Sequence, residues 1–373
     1  MLDMGKAHGK IKHTMSNLAY INASIFTGEK WLENQAVLIN DGIISYIIPD
    51  EEIATDFQTI DCRGKILAPA FIDLQIYGAG GKLFSAYPAP ESLQLLAESN
   101  LKSGTANCLV TIATQTLDVI HASIDAIKVY WKNNGKGILG LHLEGPFINT
   151  IKRGAHVESF IHVPTENEIK DLLAYADGVI KVVTLAPETC GQNIVDLFIQ
   201  AGVVVSAGHS NATFAEATKG FDNGIATATH LFNAMSTLHH RDVGLPGAVF
   251  NHQKAMASII PDGIHVSFEA IKLAKKLMGE RLFFITDAVT ETNIGPYQHV
   301  LDNDHYDLPN GTLSGSALTM LQGVKNAVKY CDIPLEEALR MSSLYPAKLM
   351  GLDKKLGKIE IGFAEDFVLM EKL

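Results

Sequence analysis

The chain has 373 residues, 47% of them hydrophobic, with a formal net charge of −11 and four cysteines. That length holds a core of barrel size, about 250 residues, plus a smaller unit. The negative charge argues against nucleic acid and anionic membrane surfaces as partners, because both need basic patches. No apolar run approaches the roughly 20 residues that cross a bilayer, and the N-terminal residues lack an apolar secretory segment. The scattered cysteines Cys62, Cys108, Cys190 and Cys331 form no Cys-x-x-Cys pair. A soluble cytoplasmic protein with reduced thiols is expected.

Residues 1–16 lack periodicity and read as a disordered extension. From there to residue 66, short strand-like runs predict a small β unit, with Asn40-Asp41-Gly42 as the turn of a hairpin between Ala36–Ile39 and Ile43–Ile48. Near the other end, Gly357–Gly362 and Ala364–Met370 have the same character. The two ends, 17–66 and 352–373, are therefore expected to form one discontinuous β-sandwich beside a barrel spanning 67–351.

Eight β-like runs lie between them: Ile66–Asp73, Ala106–Ile112, Ile138–Glu144, Ile180–Leu185, Val203–Ala207, Ile225–His230, Ala255–Ile260 and Leu282–Asp287. Amphipathic segments separate most of them: Glu91–Ser103, Leu117–Asn133, Glu166–Ala176, Asn193–Ala201 and Phe268–Met278. The alternation predicts a (β/α)8 barrel, whose functional groups gather at the carboxyl ends of the strands.

Four such ends carry polar groups in suggestive places. Glu144 ends the third run in His-Leu-Glu-Gly-Pro, His209 follows the fifth in Gly-His-Ser, His230 closes the sixth in Ala-Thr-His, and Asp287 closes the eighth in Thr-Asp-Ala. A glutamate and two histidines can hold one divalent metal and leave a position open for water, and an aspartate beside them can move protons. Each residue alone also has a bland reading, as a satisfied core histidine or, for Asp287, a helix N-cap. On one rim together they point to a metal-dependent hydrolase.

The first run leads into Pro69-Ala70-Phe71-Ile72-Asp73-Leu74-Gln75-Ile76-Tyr77-Gly78, which resembles the Pro-Gly-Phe-Ile-Asp-x-His-x-His-Gly signature of the amidohydrolase superfamily. Gln75 and Tyr77 stand where that signature has its histidines. Together with Lys152–His156, Thr229–Met235, Asp262–Val266, Leu313–Ser316 and the C-terminal Gly-x-Ile-x-x-Gly-x-x-x-Asp phrase, the chain from about residue 18 resembles the N-acetylglucosamine-6-phosphate deacetylase family.

That resemblance implies hydrolysis of the N-acetyl group of an amino-sugar phosphate. It implies one divalent metal, zinc ahead of iron, cobalt or manganese, held by Glu144, His209 and His230, with Asp287 as general acid and base. It further implies that Ala155, Asn233, Ala234, Arg241, His265, Leu313, Ser314 and Gly315 bind substrate. Arg241 is the expected phosphate ligand, acting across a homodimer interface, although a solvated loop charge is its alternative. Gln75 is expected to bind water or fill space where a second metal's ligand otherwise stands; His142 is expected in strand packing and His156 to touch substrate or hold the loop after the third run, neither with a catalytic role. Alternatives are an amidohydrolase acting on N-acetylgalactosamine 6-phosphate or an N-acyl amino acid, and a non-enzymatic binding protein on the same fold.

Overall fold

The computed structural model describes residues 17–372, so the expected N-terminal extension lies outside the described residues. Its centre is an eight-stranded parallel sheet in sequence order: β1 (Phe71–Ile76), β2 (Thr105–Ile112), β3 (Ile138–Glu144), β4 (Ile180–Leu185), β5 (Val204–Ala207), β6 (Thr227–Ala228), β7 (Met256–Ile259) and β8 (Leu282–Phe284). The ring closes just beyond β8. There the amide of Asp287 donates to the Gln75 carbonyl at 3.0 Å and that of Tyr77 to the Ala288 carbonyl at 2.9 Å. The (β/α)8 architecture is the one expected from the alternation of runs.

The interleaved helices fall within a residue or so of the amphipathic segments: Pro90–Lys102, Leu117–Lys132, Glu166–Ala176, Gln192–Gln200 and Phe268–Met278. Two of the helix starts are fixed by reciprocal capping boxes, Thr165 with Glu168 and Thr213 with Glu216. The second box starts the helix immediately after the His209 loop, which anchors that loop at its far end.

The first predicted strand is in fact two. Ile66–Pro69 pairs with Ser24–Phe26 and with the C-terminal strand Phe367–Met370, whereas Phe71–Ile76 enters the barrel. Ala70 makes the break, its amide donating to the Asp366 carbonyl rather than to a barrel neighbour. An unbroken apolar run cannot reveal such a change of sheet, because both halves are buried on both faces.

Beside the barrel lie two four-stranded sheets. One orders Ile43–Pro49, Gln35–Asn40, Asn17–Ile21 and Gln58–Asp61; the other orders Phe367–Met370, Ile66–Pro69, Ser24–Phe26 and Trp31–Leu32. The expected hairpin turn is present, with Asp41 and Gly42 at φ of 51° and 76°, the sign a type I′ turn needs at both positions. Gly357–Gly362 is not a strand, but it docks all the same: the Ile359 amide donates to the Thr27 carbonyl and that of Gly362 to the Ile44 carbonyl. Ile359 and Phe363 join Ile25, Val37, Ile39, Ile44 and Leu67 in one apolar core. Burying each large side chain contributes about 1.5–3 kcal/mol, enough to hold the two chain ends together.

A further unit went unpredicted. Between β8 and the helix Met320–Cys331, three short antiparallel strands, Val300–Asp302, His305–Asp307 and Leu313–Ser316, form a flap at the barrel mouth. No helix among the described residues is long and apolar enough to cross a membrane.

Candidate active site

A cavity of about 240 Å³ opens at the carboxyl ends of the strands. Glu144, His209, His230 and Asp287 all line it, each from a different strand end. Three of the four sit in left-handed backbone, with φ of 47° at His209, 37° at His230 and 54° at Asp287. Such conformations cost non-glycine residues about 1–3 kcal/mol each and persist where surrounding contacts over-determine them. At His230 the contacts are visible: its amide donates to Ser258 Oγ at 2.8 Å, and the next amide, Leu231, to the Ser258 carbonyl. The turn after Glu144 needs a glycine, since a Cβ at Gly145 would lie 2.2 Å from Thr114 Oγ1.

Three donor atoms converge at the cavity floor. His230 Nε2 lies 3.0 Å from Glu144 Oε1 and 3.0 Å from His209 Nε2, and His209 Nε2 lies 3.3 Å from Glu144 Oε1. With metal–ligand bonds of about 2.0–2.2 Å, the edge of a tetrahedral zinc site is roughly 3.3 Å, so this triangle fits a divalent ion. The ring of His209 is oriented for ligation, because its Nδ1 donates to the Lys152 carbonyl at 3.0 Å and leaves the Nε2 lone pair facing inward.

His156 also reaches this floor, with Nε2 3.3 Å from Glu144 Oε2, and its donor atom clusters with those of Glu144 and His209. Its tautomer argues against ligation. The Thr114 amide donates to His156 Nδ1 at 3.2 Å, so the ring proton sits on Nε2, which makes His156 a donor into the site. The sequence offered only its place in Lys-Arg-Gly-Ala-His as a signal.

Gln75 is buried beneath the cavity rather than lining it. Its amide nitrogen lies 2.7 Å from Asp287 Oδ1, 2.9 Å from Glu144 Oε1 and 2.9 Å from the Tyr77 hydroxyl. The Tyr77 hydroxyl in turn donates to Glu144 Oε2. The two positions that carry histidines in the superfamily signature are thus occupied by neutral donors tied to both carboxylates.

The electrostatics follow from burial and from these contacts. Burial alone would raise Glu144, but the charge of His209 and the hydrogen bonds from His156, His209 and His230 hold it well below the usual carboxylate range. Burial also favours neutral imidazoles, and it takes His209 down to about 4. At His230 that effect is outweighed by the hydrogen bond and charge of Glu144 and the charge of Asp287, so its pKa is raised. Burial raises Asp287 too, against the pull of His230 and with the help of Glu144. A carboxyl shifted upward is closer to the range in which it can both take and return a proton.

Of the residues expected to meet substrate, Ala155, Asn233, Ala234, His265, Leu313, Ser314 and Gly315 line the cavity. His265 is held by Asp262, whose Oδ2 lies 2.5 Å from Nδ1. Arg241 does not line it; it is exposed, in a loop closed by the His239–Asp242 bridge. No lysine or arginine among the described residues lines the cavity. Tyr77, Tyr297, Val289 and His299, none of them expected to meet substrate, also line it. Tyr297 donates to the Thr114 carbonyl at 2.6 Å, and burial takes His299 down to about 4, keeping it neutral. The last three belong to the irregular segment just before the flap, where no periodicity marks a role.

Comparison with known proteins agrees with this geometry. The amidohydrolase family model matches residues 66–372, and the NagA composite domain model matches residues 18–67. The chain belongs to the amidohydrolase family. It is 38% identical over 355 residues to an N-acetylglucosamine-6-phosphate deacetylase of Haemophilus influenzae, covering 92% of each chain. It is 31% identical over 357 residues to an N-acetylgalactosamine-6-phosphate deacetylase of Escherichia coli O157:H7, covering 93% of each. Among solved structures, the N-acetylglucosamine-6-phosphate deacetylase of Pasteurella multocida superposes with a TM-score of 0.91 at 36% identity, over 95% of this chain and 96% of that one. A mutant of the Mycobacterium smegmatis enzyme, in complex with N-acetyl-D-glucosamine-6-phosphate, gives 0.87 at 25% identity over 95% of each.

Proposed function

We propose that this amidohydrolase removes the acetyl group of N-acetylglucosamine 6-phosphate, releasing acetate and glucosamine 6-phosphate. The observation that carries the reading is the convergence of Glu144, His209 and His230 on one point, with Asp287 held beside them by Gln75. A divalent metal there, zinc ahead of iron, cobalt or manganese, supplies Lewis acidity and lowers the pKa of water from about 15.7 to about 7.

The chain's own residues then have distinct tasks. The Asp287 carboxylate accepts a proton from the attacking water as its oxygen bonds to the acetyl carbon. As the carbon–nitrogen bond breaks, Asp287 returns that proton to the departing amine. His156 directs its Nε2–H at Glu144 Oε2, keeping that carboxylate ionised and a positive dipole end beside the floor where negative charge develops. Gln75 donates to Asp287 Oδ1, which leaves Oδ2 to exchange the proton.

The sugar is bound by Ala155, Asn233, Ala234, His265 and Leu313–Gly315. Its phosphate needs a cation that the cavity wall lacks, and a homodimer in which Arg241 of one protomer reaches the neighbouring cavity supplies it. A guanidinium fork suits paired phosphate oxygens. Gln75 and Tyr77 favour a single metal, since both supply donors where a second ion would need ligands. The compartment in this reading is the cytoplasm.

The test is acetate release by purified protein from N-acetylglucosamine 6-phosphate, from the galactosamine analogue and from unphosphorylated N-acetylglucosamine, before and after chelation and with zinc restored. Chelator-sensitive release, fastest on N-acetylglucosamine 6-phosphate, supports the reading. Preference for the galactosamine analogue would reassign the substrate, and no release by metal-loaded protein would overturn the reading.

A further inference from the structure

Beneath the donor triangle, four polar side chains cross the barrel interior in an unbroken line. His142 Nε2 lies 2.7 Å from Thr184 Oγ1, Thr184 Oγ1 2.7 Å from Thr229 Oγ1, and Thr229 Oγ1 2.5 Å from Ser206 Oγ. At the other end His142 Nδ1 lies 2.9 Å from the Leu74 carbonyl, which can only accept. All four side chains are at most 3% exposed, where each polar group needs a partner.

Their places in the chain are what make the line informative. His142 precedes Glu144 by two residues, Ser206 precedes His209 by three, Thr229 immediately precedes His230, and Leu74 immediately precedes Gln75. Thr184, from β4, adds a backbone link: its carbonyl accepts from the Gly145 amide at 3.0 Å, so it touches both sides of Glu144. One connected chain of hydrogen bonds therefore ties together every strand that delivers a proposed ligand.

Packing points to Thr184 and Thr229 as well. A Cβ at Gly208 would come within 2.7 Å of Thr184 Cγ2 and 2.9 Å of Thr229 Cβ, so the residue before His209 must be glycine while the two threonines hold these positions. The strained backbone of His209 and His230 is thus seated directly against the pair.

We propose that this hydrogen-bonded chain is a positioning device for the metal ligands, with Thr229 as its hub. The inference rests on the metal-site reading above. Thr229 does not line the cavity; it acts through His230, which follows it in the chain, and through Thr184 and Ser206. Valine at this position keeps the shape and removes both hydrogen bonds, and serine keeps the hydroxyl. Groups hydrogen-bonded directly to metal ligands set metal affinity by about 10- to 100-fold, and Thr229, which acts through the backbone, is expected at the low end of that range.

The experiment compares wild-type protein, Thr229→Val and Thr229→Ser, stripped by chelator and titrated with zinc against a chromogenic competitor, with thermal unfolding of the stripped proteins alongside. Thr229→Val should weaken zinc binding at least about tenfold while Thr229→Ser stays near wild type. Zinc affinity in Thr229→Val equal to wild type, whatever its melting temperature, overturns the inference and leaves a merely structural network. Equal loss in Thr229→Ser overturns it too, because the hydroxyl would then not matter. If Thr229→Val does not fold, Ser206→Ala takes its place: weakened zinc binding upholds the proposal and unchanged binding overturns it. Wild-type protein that binds no zinc would instead remove the metal-site reading, a result separable from either variant's behaviour.

Discussion

Gln75 gives the sharpest prediction, because one amide group joins the residue proposed to move the proton to a residue proposed to hold the metal. Three oxygens lie within 2.9 Å of its nitrogen, yet the nitrogen has only two protons, so replacing Gln75 with alanine removes at most two hydrogen bonds. Hydrogen bonds to charged groups contribute about 1.5–3 kcal/mol each. The shortest, to Asp287, therefore corresponds to about a 10- to 150-fold fall in kcat at about 1.36 kcal/mol per decade. The bond to Glu144 should weaken zinc binding separately. Steady-state acetate release and zinc titration on the same preparations resolve the two effects. Gln75→Glu should be worse than Gln75→Ala, since it sets a third carboxylate against Glu144 and Asp287. A Gln75→Ala variant with wild-type kcat would refute the reasoning, and would reduce Gln75 to a space-filler.

Two further predictions concern the phosphate and the pH dependence of stability. Arg241→Ala should raise KM for N-acetylglucosamine 6-phosphate by at least about tenfold while leaving the unphosphorylated sugar little changed, because Arg241 is the proposed phosphate cation; equal losses on both would place the phosphate elsewhere. Asp73, fully buried and accepting from Gln75 and Thr286, is pushed up by burial to about 7 from an ordinary 3.8. Its contribution to stability is complete below about pH 4 and is lost as pH rises to about 7, amounting to about 4 kcal/mol. Urea unfolding of wild type and Asp73→Asn at about pH 5 and about pH 8 should show a decline larger in wild type by about 2.7 kcal/mol, the part of the contribution still present at about pH 5, and parallel behaviour would contradict it.

Much of the fold was legible because the barrel writes itself into periodicity: apolar runs of strand length alternate with amphipathic helices, and the predicted helices Glu166–Ala176 and Phe268–Met278 coincide with those observed. Pairing was less legible. The run 66–73 conceals a change of sheet at Ala70, and Gly357–Gly362 docks through backbone hydrogen bonds without becoming a strand. The flap was missed because three strands of three or four residues carry too few positions for alternation to register.

The site divides along the same line. Glu144, His209, His230 and Asp287 stood out because a polar residue ending an apolar barrel strand is conspicuous, and the structure brings all four to one cavity. His156, Tyr297 and His299 lie in loops or in the irregular flap segment, where nothing local distinguishes a cavity wall from a solvated turn. His142, Thr184, Ser206 and Thr229 looked like ordinary strand residues. Their connection depends on which strands neighbour one another inside the barrel, and that appears only in three dimensions. Arg241 is the reverse case: a residue that the resemblance singled out and that the structure leaves exposed, away from the cavity wall.

The most direct test of the account is Asp287→Asn, assayed for acetate release from N-acetylglucosamine 6-phosphate together with bound metal on the same sample. The account predicts metal content equal to wild type and turnover lowered by at least about a hundredfold, since general acid–base groups contribute about 10²–10⁴-fold. Near wild-type turnover with the metal retained would contradict it and remove Asp287 from the chemistry.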